Sequence, residues 1–213
     1  MLVKWILCRV SPADRGRFSH AQQRWSGLAQ QRGFRCQVGG VDERSPDTAC
    51  VLGVWHSREA YSQFMGESHD ALFAATGQAG TYRSISVANG DVLFRMPGAA
   101  GDTVDAFTTA QLLRVADCEV RPGHERHFRD AQQYVWAPGM AHADGMRGGL
   151  FADLGQRRYL VVTGWRDTAS HERYRHDRLP ALSAQAQTQR DVHQLTGHAI
   201  HIDTTWTISG QPG

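Results

Sequence analysis

The chain repeats itself, and that constrains its fold more than any other feature. Cys8-Arg-Val-Ser-Pro12 returns as Cys118-Glu-Val-Arg-Pro122, an offset of 110 residues. At the same offset Phe18 meets Phe128, and Ala21-Gln22-Gln23 meets Ala131-Gln132-Gln133. From Cys8 to Gln23 seven of sixteen positions are identical, where chance gives roughly one. Further along, Val51-Leu-Gly-Val-Trp55 matches Val161-Val-Thr-Gly-Trp165 at 110, and Gly39-Gly40 falls opposite Gly148-Gly149 at 109. His69-Asp70 falls opposite His176-Asp177 at 107, which reads as a loss of a few residues in the second copy. The matching segments are compositionally ordinary, so low complexity does not explain them.

Each copy reads as β-α-β-β-α-β. Leu2 to Val10 is apolar and β-prone, and Pro12 suits the first turn of a helix. Phe18, Ala21, Trp25 and Leu28 recur at helical spacing, predicting an unbroken helix from Pro12 to about Arg32. Phe34 to Val41 and Ala49 to Trp55 are strands, and Ser57 caps a helix that carries Tyr61, Phe64 and His69. Tyr82 to Phe94 reads as a last strand or hairpin turning at Asn89-Gly90. In the second copy Pro138-Gly139 is expected to cut the first helix short just after Trp136. The division expected is one half at 1–96, a linker at 97–111 rich in Gly and Ala, and a second half at 112–213. A β-α-β-β-α-β half leaves one sheet face uncovered, and a second copy is an economical cover. The fold class is therefore α+β, with tandem ferredoxin-like repeats expected to pack sheet to sheet as an intramolecular dimeric α/β barrel.

Composition excludes several function classes. Charged residues make up 21% of the 213 and the net charge is +2, with both signs interspersed. No basic run or stripe suggests nucleic acid or an anionic membrane as partner. Lys4 is the only lysine, so any Schiff-base chemistry would have to use it. Met1 to Val10 is too short and too soon interrupted for a signal peptide, and no apolar run approaches the roughly 20 residues of a membrane span. Cys8, Cys36, Cys50 and Cys118 show no metal-ligand spacing and read as buried thiols of a reducing cytoplasm.

The order of elements, and Val51-Leu-Gly-Val-Trp55 leading into Ser57-Arg-Glu-Ala-Tyr61, resemble the dimeric α/β-barrel superfamily of antibiotic-biosynthesis monooxygenases, haem-degrading monooxygenases and stress-responsive barrel proteins. Within it, Met1-Leu-Val-Lys-Trp-Ile6, Gln37-Val-Gly-Gly40 and His69-Asp70 resemble a bacterial family of unknown function. The resemblance speaks for fold and leaves activity open, because the superfamily hosts oxygenases, isomerases and plain binders.

Candidate site residues follow from side-chain chemistry. His69 is the candidate catalytic group, as a general base, with His176 as its counterpart across the repeat. Asp70 is adjacent in sequence, so a local His–Asp dyad is not expected. Gln22 and Trp25, with Gln132 and Trp136 in the second copy, are candidates for a ligand cavity, and Trp5 is a further aromatic candidate on a strand. The glycine pairs lack a phosphate-loop context and read as points of close backbone approach. His198 and His201, three apart on a strand, fall on opposite faces and are not expected to hold one ion.

The reading that follows is a small-molecule-binding α/β-barrel protein, with cofactor-independent monooxygenase chemistry implied by the resemblance. A non-catalytic ligand-binding or sensing module is one alternative, and a haem-degrading monooxygenase is another. The haem degraders this chain resembles place an asparagine on a pocket strand, whereas Asn89, the one asparagine here, reads as a turn residue. No cofactor is expected. Because both copies are in one chain, a monomer or weak homodimer is expected.

Overall fold

The computed structural model describes residues Met1–Gln211. They form two compact units, one made of 1–91 with the chain from Ile200 onward, the other of Val92–Ala199.

In the first unit β1 (Leu2–Arg9) leads through a 3-10 turn, capped by Ser11, into α1 (Arg15–Gln23). The expected continuous helix to Arg32 does not form, because Arg24–Gln30 tightens into a 3-10 segment. Ser26-Gly27 sits at that point, poor in helix propensity, and a Cβ on Gly27 would lie 2.9 Å from Leu72 Cδ1. Strands β2 (Phe34–Asp42) and β3 (Ser45–Trp55) form a hairpin. Helix α2 (Arg58–Glu67) is capped by Ser57 as expected, and α3 (His69–Thr76) ends on Gly77 in the left-handed conformation.

The sheet then closes with β4 (Ser84–Met96), which runs straight through Asn89-Gly90 instead of turning there. Its register explains this. Asn89 pairs with Lys4 and Gly90 with Val3, so the β1 ladder holds extended a dipeptide that prefers to turn. Strand order in this unit is β4-β1-β3-β2, and residues 200–202 and β9 (Ile208–Ser209) continue along β2. Trp55 centres the core, stacked on Phe64 at 4.9 Å and edge-on to Phe34 at 5.2 Å.

The second unit opens with the end of β4 and α4 (Thr103–Thr108), a helix inside the segment composition marks as linker, capped by Asp102 and burying Phe107. There follow β5 (Leu112–Val120), α5 (Glu125–Ala131), a π turn at Gln132–Trp136, α6 (Ala137–Ala141), β6 (Met146–Gly155), β7 (Arg158–Trp165), α7 (Thr168–Asp177), α8 (Leu179–Gln185), α9 (Thr188–Asp191) and β8 (Val192–Ile202). Strand order is β8-β5-β7-β6 with the tail of β4 beside β6. Each unit is thus a β-α-β-β-α-β module, and the class is α+β.

Pro138-Gly139 does not cut the helix, which runs on to Ala141. The π turn just before it frees the position of an i→i−4 partner, so a residue without an N–H is tolerated there. The wide turn also adds one residue, which moves Trp136 rather than Val135 into the place of Trp25.

By β6 the equivalence has shifted to 112. Met146 pairs with Trp165 as Phe34 does with Trp55, and Gly149 pairs with Thr163 as Gln37 does with Gly53. Gly148-Gly149 therefore corresponds to Cys36-Gln37, and the two glycine pairs are not equivalent. Both nevertheless mark close backbone approach. A Cβ on Gly40 would lie 1.9 Å from the His201 carbonyl oxygen, and one on Gly149 2.3 Å from that of Val162. A shorter β6–β7 hairpin restores the offset to 110, and it stays there through α7 and α8, so Leu179 takes the place of His69. His176 is not its counterpart.

Candidate functional site

Alternation along β1 decides which side chains face inward. Lys4, Ile6 and Cys8 share one face, and all three line a cavity of about 380 Å³ in the first unit. Seven of its twenty lining residues are aromatic, Trp25, Phe34, Trp55, Tyr61, Phe64, Phe73 and Tyr82, and aliphatic side chains fill in between them. Gly53 lines it from β3, between Lys4 on β1 and Gln37 on β2. The row Gln37–Gly53–Lys4–Asn89 crosses the sheet, and the missing side chain at Gly53 opens the floor between two polar groups.

An amide relay forms one wall. Trp25 Nε1 donates to Gln78 Oε1 at 2.8 Å, and Gln78 Nε2 donates to Gln22 Oε1 at 2.9 Å. Gln22 and Gln78 are both buried, so the relay fixes the indole and the amides rigidly. His69 also lines the cavity, beside the Trp25 end of the relay. Its ring lies parallel to Phe73 at 6.1 Å and near Trp25 and Phe64 at 5.9 and 5.7 Å. The sequence argument against a His–Asp pair fails here, since His69 Nδ1 lies 2.8 Å from Asp70 Oδ1. The pair forms because α3 begins at His69 after a break at Ser68, so the two side chains are not spaced along a continuing helix. Asp70 is 99% exposed, which leaves the contact solvated and weak.

Burial sets the electrostatics. It pulls the Lys4 ammonium down from 10.5 to about 8 and pushes the Cys8 thiol up to about 12, so Cys8 is no nucleophile. Burial also raises Tyr61, against a smaller opposing hydrogen bond from Asn89. The Lys4 ammonium lies 5.4 Å from the Tyr61 ring centroid, a cation–π contact. Among the described residues no carboxylate lines the cavity. Trp5 is 1% exposed in the core and is not among the lining residues.

The second unit carries a smaller cavity of about 190 Å³, lined by Arg114, Gln132, Trp136, Thr163, His171, Tyr174, Leu179 and Thr188 among others. Gln132 and Trp136 reach it. His176 does not, because it points to solvent from α7 with its side chain 90% exposed, beside Asp177. His171 occupies the place of Tyr61 and packs on Trp165 at 5.1 Å.

Sequence reasoning passed over Lys4, Gln37, Gly53, Tyr61 and Gln78. The signal for Lys4 was present, a single lysine inside an otherwise apolar strand on the parity of Ile6 and Cys8. Gln78 carried none, because it lies in a loop that only the fold brings against α1.

The fold of these β-α-β-β-α-β units is shared with solved structures. Over 98% of its length the chain superposes on a candidate monooxygenase from Lactobacillus acidophilus at TM-score 0.73 and 13% identity, covering 95% of that chain. An anthrone oxidase-like protein matches over 99%, at 0.71 and 15% identity, covering 94% of that chain. At these identities the likeness is one of fold. Residues 2–89 match the family described as Domain of unknown function (DUF4937), and the YdbC protein of Bacillus subtilis is 38% identical over 91 residues, 41% of this chain and 75% of that one. The chain belongs to that family. Among the described residues no helix is long and apolar enough to cross a membrane.

Proposed function

We propose that the first-unit cavity binds a small, flat, largely apolar organic molecule and that the protein is a monooxygenase-like enzyme needing no cofactor. The observation that carries this is the cavity, rich in aromatic side chains and polar at a few points: Lys4, Gln37, the Gln22–Gln78 relay and His69. Such a lining buries a planar ring system while orienting one functional group. The oxygenase half of the reading is supported by the fold neighbours, described as a candidate monooxygenase and an anthrone oxidase-like protein.

In the proposed reaction His69 removes an acidic C–H proton beside a carbonyl. The enolate carbon bonds dioxygen, the resulting peroxide takes the proton, and loss of water leaves a new ketone. One dioxygen is consumed, one of its oxygen atoms is kept and the other leaves as water. The chain is proposed to act as a monomer or weak homodimer, since it carries both copies of the module.

Anthrone is the test substrate, followed by oxygen electrode and by chromatography of anthraquinone. Catalysed uptake that His69→Ala reduces at least tenfold supports the enzyme reading. Binding without uptake makes the protein a ligand-binding or sensing module, and absence of both refutes the proposal.

A further inference from the structure

Among the described residues, two hydrogen-bond donors in the first-unit cavity have no acceptor. Among the described residues no ion pair or hydrogen bond holds the Lys4 ammonium, which lies over the face of Tyr61. Gln37, 6% exposed, carries an Nε2 that is buried without a partner. Both line the same cavity, on either side of Gly53 in one cross-sheet row. A buried cation without a counter-charge and a buried amide N–H without an acceptor both cost free energy, and both are relieved by one kind of occupant. We infer that the cavity takes an aromatic monoanion, a carboxylate, phenolate or enolate, with Lys4 as its counter-ion and Gln37 as second donor. This deepens the proposed function and rests on its reading of the cavity as a ligand site.

The rest of the lining agrees. The ionisable groups facing Lys4 are Cys8 on β1, Tyr61 on α2, His69 on α3 and Tyr82 before β4. Burial holds the Cys8 thiol and both phenols in their neutral forms at pH 7. The nearby Arg58–Asp91 pair is solvent-exposed and mutually compensated at 2.7 Å. Among the described residues no anionic side chain lining the cavity therefore competes with a bound anion for Lys4.

The second copy serves as an internal control. Arg114 stands where Lys4 stands, and it spends a guanidinium N–H on the His198 carbonyl at 2.5 Å. Gly149 replaces Gln37, and Thr163 fills the place of Gly53. The idle donor pair and the open floor between its members are lost together, which fits a pair kept in the first unit for a ligand.

The test uses 2-naphthoate and its neutral analogue 2-naphthamide, titrated against the full chain by quenching of tryptophan fluorescence, since Trp25 and Trp55 line the cavity. At pH 7 the naphthoate should bind at least about tenfold more tightly, as a charge-assisted contact predicts. That preference should fade between pH 7 and 9.5 as Lys4 loses its proton, since the carboxylate stays ionised throughout. Lys4→Met should abolish it, and Gln37→Leu should reduce it by several-fold. Equal affinities, or a preference that survives Lys4→Met, overturn the inference while leaving the cavity a ligand site. If neither probe binds, the ligand-site reading falls and this inference with it.

Discussion

Removing the Lys4 charge should stabilise the ligand-free protein. Burial pulls the amine down to about 8 in the folded chain from its ordinary 10.5, a penalty of about 3 kcal/mol at 1.36 kcal/mol per pKa unit. The cation–π contact with Tyr61 returns about 1 kcal/mol of this. Lys4→Met keeps most of the apolar stem and drops the charged tip, so the net expectation is a gain of about 2 kcal/mol at pH 7, or roughly 4–8 °C in Tm. The sign with pH follows from proton counting. The folded amine has the lower pKa, so between about 8 and 10.5 the unfolded chain binds more protons and wild-type stability climbs with pH. Below about 8 the penalty is present in full, and above about 10.5 it is gone. The advantage of Lys4→Met should therefore shrink across that window. Urea unfolding of both proteins at pH 7, 8, 9, 10 and 10.5 measures it, and the difference between the two cancels tyrosine ionisation common to both. A variant less stable than wild type at pH 7, or an advantage constant in pH, would refute the picture of a desolvated, uncompensated cation.

Gly53→Val should fold and lose ligand. A Cβ there sits at ordinary contact distance, 3.7 Å from Lys4 Cβ and 3.8 Å from Trp55 Nε1, and valine suits a strand. The added methyls occupy the cavity floor, so naphthoate affinity should drop at least tenfold with Tm little changed; unchanged affinity places the ligand elsewhere. Asp191→Asn should cost about 1–3 kcal/mol in urea unfolding, because the buried carboxylate holds His124 Nδ1 at 3.0 Å and His127 Nδ1 at 2.5 Å. Hemin titration should give no stoichiometric Soret shift, since three aromatic rings pack the His69 imidazole. A sharp shift that His69→Ala removes would restore the haem reading, for which Asn89, on a strand rather than in a turn, is no longer an obstacle.

The module was legible in the sequence because repetition doubles every weak signal. Two copies of strand, Pro turn and Phe-x-x-Ala-Gln-Gln helix agree where either alone would be ambiguous. Boundaries and turns failed where tertiary pairing overrode local preference. Asn89-Gly90 is a turn signal that the β1 ladder holds extended, and Pro138-Gly139 is a helix breaker that a π turn absorbs. The site was half legible. Helical spacing put Gln22 and Trp25 on one face, and His69 stood out by chemistry. His176 was misassigned because a His-Asp dipeptide recurring three residues out of register looked like a deletion. Capping supplies the true register, since Ser57 and Asp167 start their helices at an offset of 110 and carry it on to Leu179. Gln37 and Gln78 could not be found, because their meaning lies in what stands across the sheet and against α1.

The two cavities differ in a way that can be tested by transplanting one residue. In the first unit Gln78 joins the Trp25 indole to the Gln22 amide. Its equivalent in the second unit is Thr188, which is too short to span that distance. There Gln132 Oε1 and Thr188 Oγ1 are both buried without a hydrogen-bond partner, and both line the 190 Å³ cavity with Trp136. A glutamine at this position has room to enter, and its Nε2 can donate to Gln132 Oε1 as Gln78 Nε2 does to Gln22. Satisfying one buried acceptor is worth about 1–2 kcal/mol, and ordering the longer side chain takes back part of it. Thr188→Gln should therefore raise stability by about 1 kcal/mol in urea unfolding, against a typical surface change of half that or less. The control is Thr188→Leu, similar in size but unable to donate, which should not stabilise. If Leu helps as much as Gln, the gain comes from filling the cavity, and the relay in the first unit loses its claim to be more than packing. If Gln alone helps, the amide relay is a transferable device that the second copy has lost.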